Sequence, residues 1–159
     1  MTSNLSQFIK FLKEEINENQ ISSANTIDVI DPRDRLENKS EICVKPKNTQ
    51  EISKILKLAN KFIIPIIPIG GSTGLVGGQI ASQSNHVTLS LEKLDAINFY
   101  NDSNLLYVQS GAILSNIKKL AFNNGRLFPL SLASEGSCQI GGNLATHAGG
   151  LNVIKSVSY

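Results

Sequence analysis

Between Phe62 and Gly78 the chain reads FIIPIIPIGGSTGLVGG, and no other stretch restricts the fold as tightly. Its β-branched residues ask for an extended strand. Pro65 and Pro68 cannot donate ladder hydrogen bonds, so that strand must lie at a sheet edge or leave the sheet early. The exit leads into Gly70 to Gly78, a neutral run of Gly, Ser, Thr, Leu and Val with glycine predominant. Without Cβ atoms such a run reaches positive φ easily and can turn successive N–H groups into one concavity that holds an anion. The same residues also suit a tight turn or bulge that needs glycine only for steric reasons. No Gly-Lys-Ser/Thr follows, and the spacing is not G-x-G-x-x-G, so neither a Walker A loop nor a Rossmann turn is present.

The flanking sequence supplies layers for this edge strand. Leu5, Phe8, Ile9, Leu12 and Ile16 recur at helical spacing, which predicts an amphipathic helix over residues 4–18 with Ser3 or Asn4 as cap. Residues 20–40 are polar and aperiodic, carry the turn signal Asp31-Pro32, and read as a connecting segment. Glu41 to Pro46 reads as a short strand. Thr49 then caps a helix with Ile52, Ile55, Leu56 and Ala59 on one face. His86 to Leu91, Ala96 to Tyr100 and Leu105 to Gly111 read as further strands, the last two joined through Asn101 to Asn104 as a hairpin. A helix from Leu114 to Asn123 ends at Gly125, a suitable C′ residue. Strand, helix and strand followed by a hairpin argue for an α+β fold built in α/β layers.

Bulk properties narrow the function classes. A chain of 159 residues is long enough for one ordinary domain with a sizeable core, or for part of a larger one. Its 41% apolar and 18% charged residues exclude a disordered chain. No run of 18 uncharged apolar residues occurs, so no membrane-spanning helix is expected. The net charge of +2 is spread without a Lys/Arg block, and a nucleic-acid surface is not expected. Cys43 and Cys138 form no CxxC, and the amino-terminal residues lack a signal-peptide apolar core, so the expected compartment is a reducing cytoplasm, free or peripheral to the inner face of a membrane.

Reactive side chains are sparse. The two histidines, His86 and His147, make no zinc spacing with the two cysteines, so no metal site is expected. There is no G-x-S-x-G nucleophile elbow. A second neutral segment, Gly136-Ser-Cys-Gln-Ile-Gly-Gly-Asn-Leu-Ala-Thr-His-Ala-Gly-Gly150, is again rich in backbone and hydroxyl donors. Two such segments point to one extended polar ligand between them. A dinucleotide fits, because neutral N–H groups can solvate its pyrophosphate without a cation.

With the pieces in order, PIGGSTGLVGG (Pro68 to Gly78), LSLEKLDAI (Leu89 to Ile97), VQSGAIL (Val108 to Leu114) and GRLFPLSLASEGSCQIGGNLATHAGGLNVIK (Gly125 to Lys155) resemble the PCMH-type FAD-binding domain of the vanillyl-alcohol oxidase / p-cresol methylhydroxylase superfamily. The resemblance covers about residues 38–155. It looks closest to the D-2-hydroxyacid dehydrogenase branch, which includes D-2-hydroxyglutarate dehydrogenase, D-lactate dehydrogenase and the glycolate oxidase flavin subunit.

That resemblance implies two small α/β subdomains around non-covalent FAD. Gly70, Gly71, Ser72, Thr73 and Gly74 would wrap the pyrophosphate, with Pro68 setting the entry and Leu75, Gly77 and Gly78 letting the chain pass the cofactor. Gly136, Ser137, Ile140, Gly141, Gly142, Asn143, Ala145 and Thr146 would line the ribityl and isoalloxazine side, and hydride from a hydroxy-acid Cα would go to flavin N5. His147 stands where similar sequences have Asn and is read as a neutral polar substitute.

Residues 1–37 read as a helix plus connector and 38–159 as the FAD-binding domain. The family's sequences continue beyond a stretch like Lys155, so the expectation is a second subdomain cut short and a substrate domain absent. No catalytic residue is assigned on this chain. A small 2-hydroxy acid would be oxidised only with the carboxy-terminal half supplied. The chain is therefore expected to be inactive alone, half of a split enzyme with a complementing carboxy-terminal chain, or a non-catalytic flavin-binding remnant.

Overall fold

The computed structural model describes residues 3–24, 29 and 31–152, apart from the side chain of Ser3. Part of the expected connector, the Ser3 cap and the closing stretch from Val153 through Lys155 to Tyr159 therefore lie outside the described residues. The chain divides into two compact units, Met1–Lys93 and Leu94–Tyr159.

In the first unit a four-stranded sheet runs in the order β1 (Ile21–Ser23), β2 (Ile42–Val44), β4 (Val87–Ser90), β3 (Ile66–Ile69). β1 pairs antiparallel with β2, whereas β2 and β3 both pair parallel with β4. Side chains alternate between faces along each strand. Ile42, Val44, Val87 and Leu89 enter one core with Leu5, Phe8, Leu12 and Ile16 of α1 (Ser3–Glu15) and Ile55, Ala59 and Phe62 of α2 (Thr49–Phe62). Each of these side chains larger than alanine contributes about 1.5–3 kcal/mol by leaving water. The alternate residues Cys43, Thr88 and Ser90 are buried on the opposite face. Ser40 joins the strands by donating to the carbonyls of Ile42 and His86 and accepting from the Thr88 amide.

The prolines put β3 at the sheet edge, as expected, and the parallel return to β4 carries the glycine run in place of a helix. Four local readings need correction. Asn4 does not cap α1; its amide donates to Phe62 O at 3.2 Å, tying α1 to the end of α2. The cap of α2 is Asn48, whose Oδ1 accepts from the Glu51 amide at 2.8 Å, leaving Thr49 in the first helical turn. Leu56 is 46% exposed, and Phe62 takes the place given to it on the buried face. Finally, Ile21 to Ser23 form a strand inside the supposed connector, because β2 offers them a free edge.

The second unit opens with the expected hairpin, β5 (Ile97–Tyr100) against β6 (Leu105–Val108). Ile97, Leu106 and Val108 pack on a core of Ala112, Ile117 and Ile140. Their alternates Asn98, Tyr100, Leu105 and Tyr107 are exposed. α3 spans Leu114–Asn123 and stops where expected, with Gly125 at φ +67. A short helix, α4 (Ile140–Ala145), occupies the middle of the segment read as a loop.

Candidate functional site

Gly70 to Gly78 is delivered by β3, whose last paired residue is Ile69, and it is closed again by Gln79 and Ile80. Three carbonyls of the loop are held by protein donors. Gly74 O accepts from Gln79 Nε2 at 3.0 Å, Leu75 O from Arg35 Nη2 at 2.7 Å, and Gly77 O from the Ile80 amide at 3.0 Å. None of the donors is spent: among the described residues, no N–H from Gly70 to Gly78 and neither hydroxyl of Ser72 and Thr73 reaches a protein acceptor. Ser72 at φ +52 and Gly77 at φ +75 supply the left-handed turns by which successive amides can face one side. An unspent row of amides, free of carboxylates, suits a diphosphate in chemistry.

Pro68 is exposed within β3, where it forms the approach to the loop. Leu75 is 46% exposed and Val76 85%, so this turn of the loop gains little from packing. A Cβ on Gly74 would meet only the end of the Gln79 side chain, Oε1 at 3.0 Å, whereas one on Gly77 would come within 2.3 Å of Leu36 Cδ1. The glycine at 77 is therefore favoured by the protein itself through its positive φ, while the Leu36 side-chain end beside it is half exposed and can give way.

In the second unit the structure spends donors that the sequence left open. The Ser137 amide bonds Ser134 O, Ile140 N bonds Ala112 O, Gly141 N bonds Ser110 O, and the amides of Asn143 and Thr146 bond Gln139 O and Gly142 O. Short-helix formation and a bridge between Ile113 and Gln139 consume these groups. Ile140 is a core residue. Asn143 is buried, its Nδ2 3.5 Å from Cys138 Sγ, and the Thr146 hydroxyl donates to Gly142 O at 2.9 Å. Of the residues expected to line the cofactor, Gly136, Ser137, Gly142, Ala145 and Thr146 are exposed, with Leu144 and Gly149 beside them, while Gly141 is tight against Ser110. His147 is exposed at φ +48.

Two groups escaped the sequence reading. Gln139 is 9% exposed and its Oε1 has no partner among the described residues, an orphaned acceptor beside α4. Asp31 is buried and accepts from the amides of Arg33 and Arg35 at 3.3 and 2.9 Å. Burial pushes its carboxyl pKa up, but those two amides and the Arg35 charge outweigh it and hold the group below the usual carboxylate range. The sequence signal was Asp31 four residues ahead of Arg35, which the turn reading absorbed. Among the described residues no helix is long and apolar enough to cross a membrane, and no three His, Cys, Asp or Glu side chains are grouped as a metal would need.

Comparison with known proteins gives a consistent family. Residues 40–158 match the family described as FAD binding domain. The chain is 38% identical over 139 residues to a probable mitochondrial D-2-hydroxyglutarate dehydrogenase of Oryza sativa subsp. indica, covering 87% of this chain and 24% of that protein. It is also 38% identical over 127 residues to a putative mitochondrial D-lactate dehydrogenase of Schizosaccharomyces pombe, covering 79% of this chain and 24% of that one. The chain thus spans about a quarter of the length of these curated relatives. Among solved structures, an alkyldihydroxyacetonephosphate synthase superposes with a TM-score of 0.82 at 22% identity over 94% of this chain and 30% of its own. p-Cresol methylhydroxylase superposes at 0.66 with 16% identity over 86% of this chain and 28% of its own.

Proposed function

The chain belongs to the FAD binding domain family, and from that premise we propose that it is the cofactor-holding part of an FAD-linked oxidoreductase that oxidises a D-2-hydroxy acid to the 2-oxo acid. The observation that carries this reading is the Gly70–Gly78 loop, whose amides are all left unspent while Gly74 O, Leu75 O and Gly77 O are tied back. Relatives named as D-2-hydroxyglutarate and D-lactate dehydrogenases support the substrate class.

FAD, when bound, would supply a two-electron acceptor for hydride from the hydroxyl-bearing carbon. The chain's own residues contribute binding and exclusion of water. Gly70, Gly71, Ser72, Thr73 and Gly74 would solvate the pyrophosphate by N–H and hydroxyl groups, Pro68 fixing the approach and Leu75, Gly77 and Gly78 carrying the chain past. In the second unit Gly136, Ser137, Gly142, Ala145 and Thr146 offer surface to the ribityl and isoalloxazine side. Ile140, Gly141 and Asn143 act from behind by holding α4 in place. Residues 38–159 make up the FAD-binding portion, with α1 serving as packing.

Neither glycine segment carries a carboxylate, and His147 is their only titratable side chain besides the buried Cys138 thiol. By the family resemblance, a base for the substrate hydroxyl and cations for its carboxylate would be supplied by sequence that the relatives carry outside the matched quarter, in the same polypeptide or in a complementing chain. The two buried free thiols support a reducing compartment.

The test is reconstitution: purified chain is incubated with FAD, freed of excess by gel filtration, and scanned for flavin absorbance, then assayed with D-2-hydroxyglutarate or D-lactate and a dye acceptor. Bound flavin without dye reduction is expected from the chain alone. Dye reduction by the isolated chain would overturn the division of labour, and failure to retain flavin would overturn the binding role.

A further inference from the structure

The segment ahead of β2 is tied to the glycine loop at three places, all within the first unit. Asp31 closes a turn on itself: the Asp34 amide bonds its carbonyl at 2.8 Å while its carboxylate takes the amides of Arg33 and Arg35. The same carboxylate lies 3.6 Å from Arg35 Nε. Arg35 is thereby pinned at its backbone and at its head group, and its Nη2 reaches across to Leu75 O at 2.7 Å. Next along the chain, Leu36 Cδ1 lies where a Gly77 side chain would begin. Farther on, Asn38 Oδ1 accepts from the Ala81 amide at 3.0 Å and Lys39 N donates to Ala81 O at 2.9 Å, so the exit of the loop is anchored by the same segment.

We propose that Asp31 and Arg35 form a clamp that sets the conformation of the Gly70–Gly78 loop before any ligand arrives, making Arg35 a positioning residue for the anion-binding amides. The physical need is plain. A glycine-rich run has more backbone freedom to lose than any other sequence, and a ligand that had to order it would bind more weakly by that amount. Leu75 is half exposed and Val76 nearly fully so, and they supply little packing to hold the turn. A charge-assisted bond from Arg35 to Leu75 O instead fixes one carbonyl at the middle of the loop, and fixing a peptide's C=O orients the N–H of the next residue. Arginine suits the task better than lysine because its planar fork engages the Asp31 carboxylate and the Leu75 carbonyl at once.

The consequence for FAD rests on the function proposed above, so the experiment keeps the two apart. In the ligand-free chain, limited thermolysin digestion at the exposed Leu75-Val76 turn reads loop order directly. Arg35→Gln should raise the cleavage rate there about fivefold or more, since one charged hydrogen bond holding the turn is worth at least that factor in the open population. Leu36→Ala, which leaves the clamp intact and frees Gly77, should give a smaller rise, and Arg35→Lys should fall between wild type and Arg35→Gln. The midpoint of thermal unfolding should fall by at most a few degrees, most for Arg35→Gln, which leaves the buried Asp31 carboxylate without its cation, so that cleavage at the Leu75-Val76 turn still reports loop opening and not global unfolding. FAD titration by flavin fluorescence should show Arg35→Gln weakened about tenfold, with Arg35→Lys partly restored. Unchanged thermolysin cleavage in Arg35→Gln overturns the clamp whatever happens to FAD. If the wild-type chain binds no FAD, the functional proposal falls while the cleavage comparison still decides the clamp.

Discussion

Adjacent glycines of α4 ought to respond in opposite directions to the same substitution. Gly141→Ala and Gly142→Ala each replace a poor helix former by the best one, a gain of up to about 1 kcal/mol per site, part of it from a less flexible unfolded chain. At Gly142 nothing lies within 4 Å of the new Cβ, so the gain is kept, reduced because α4 is only a six-residue helix. At Gly141 the Cβ would stand 2.6 Å from Ser110 Cβ and 2.8 Å from Ser110 O, and Ser110 O is also the acceptor of the Gly141 amide. Backbone cannot swing aside as a side-chain tip can. Relief requires α4 to back away, costing about 1–3 kcal/mol of overpacking strain plus about 1 kcal/mol for the stretched hydrogen bond. The net is a loss of roughly 1–3 kcal/mol for Gly141→Ala against a gain of about 0.5 kcal/mol for Gly142→Ala. Urea unfolding of the ligand-free chain, followed by circular dichroism, measures both. A Gly141→Ala midpoint at or above wild type, or equal shifts at the two sites, would refute the packing argument. The pair also probes the cofactor reading: if Gly142 borders the flavin, Gly142→Ala gains stability yet loses FAD affinity.

Ile63 ends α2 in the left-handed region at φ +55 with its side chain 81% exposed, so Ile63→Gly removes strain without losing burial and should stabilise by about 0.5–1 kcal/mol in thermal melts. Asp31→Asn should flatten the acid limb of the stability curve. Because the folded pKa is depressed, the carboxylate's contribution is present above the ordinary carboxylate range and lost as pH falls through the folded value; urea midpoints taken from neutral pH down to pH about 3 would show wild type falling more steeply than the variant. Burial pushes the Cys43 thiol up to about 11, so Cys43 should resist iodoacetamide at neutral pH and react once the chain is unfolded, as read by peptide mass spectrometry.

Much of the scaffold was legible because its signals are local. Two prolines were enough to put β3 at the edge, Gly125 marked the end of α3, and a four-residue polar turn joined β5 to β6. Where the reading slipped, a partner distant in sequence decided the outcome. Ile21 to Ser23 have no strand pattern of their own and become β1 only because β2 presents an edge. α4 contains Gly141 and Gly142, which argue against helix, and exists because Ile140 is drawn into the core and Ser110 demands a glycine at its side. The same tertiary bonds consumed amides that the sequence had left open for a ligand in the second segment. In the first loop the sequence and the structure agree on free donors, but the residues that hold its carbonyls, Arg35 and Gln79, lie outside the motif and gave no periodic signal.

Whether the Gly70–Gly78 amides receive the FAD pyrophosphate is tested most directly by flavin retention in Gly74→Val against wild type. A Cβ there would meet only the end of the Gln79 side chain inside the protein, and circular dichroism and the unfolding midpoint establish that the variant is folded. Its branched side chain would stand where the diphosphate must approach. Wild-type chain retaining flavin absorbance after gel filtration, with Gly74→Val folded but colourless, is the predicted result; a folded Gly74→Val that holds FAD as tightly as wild type would contradict it.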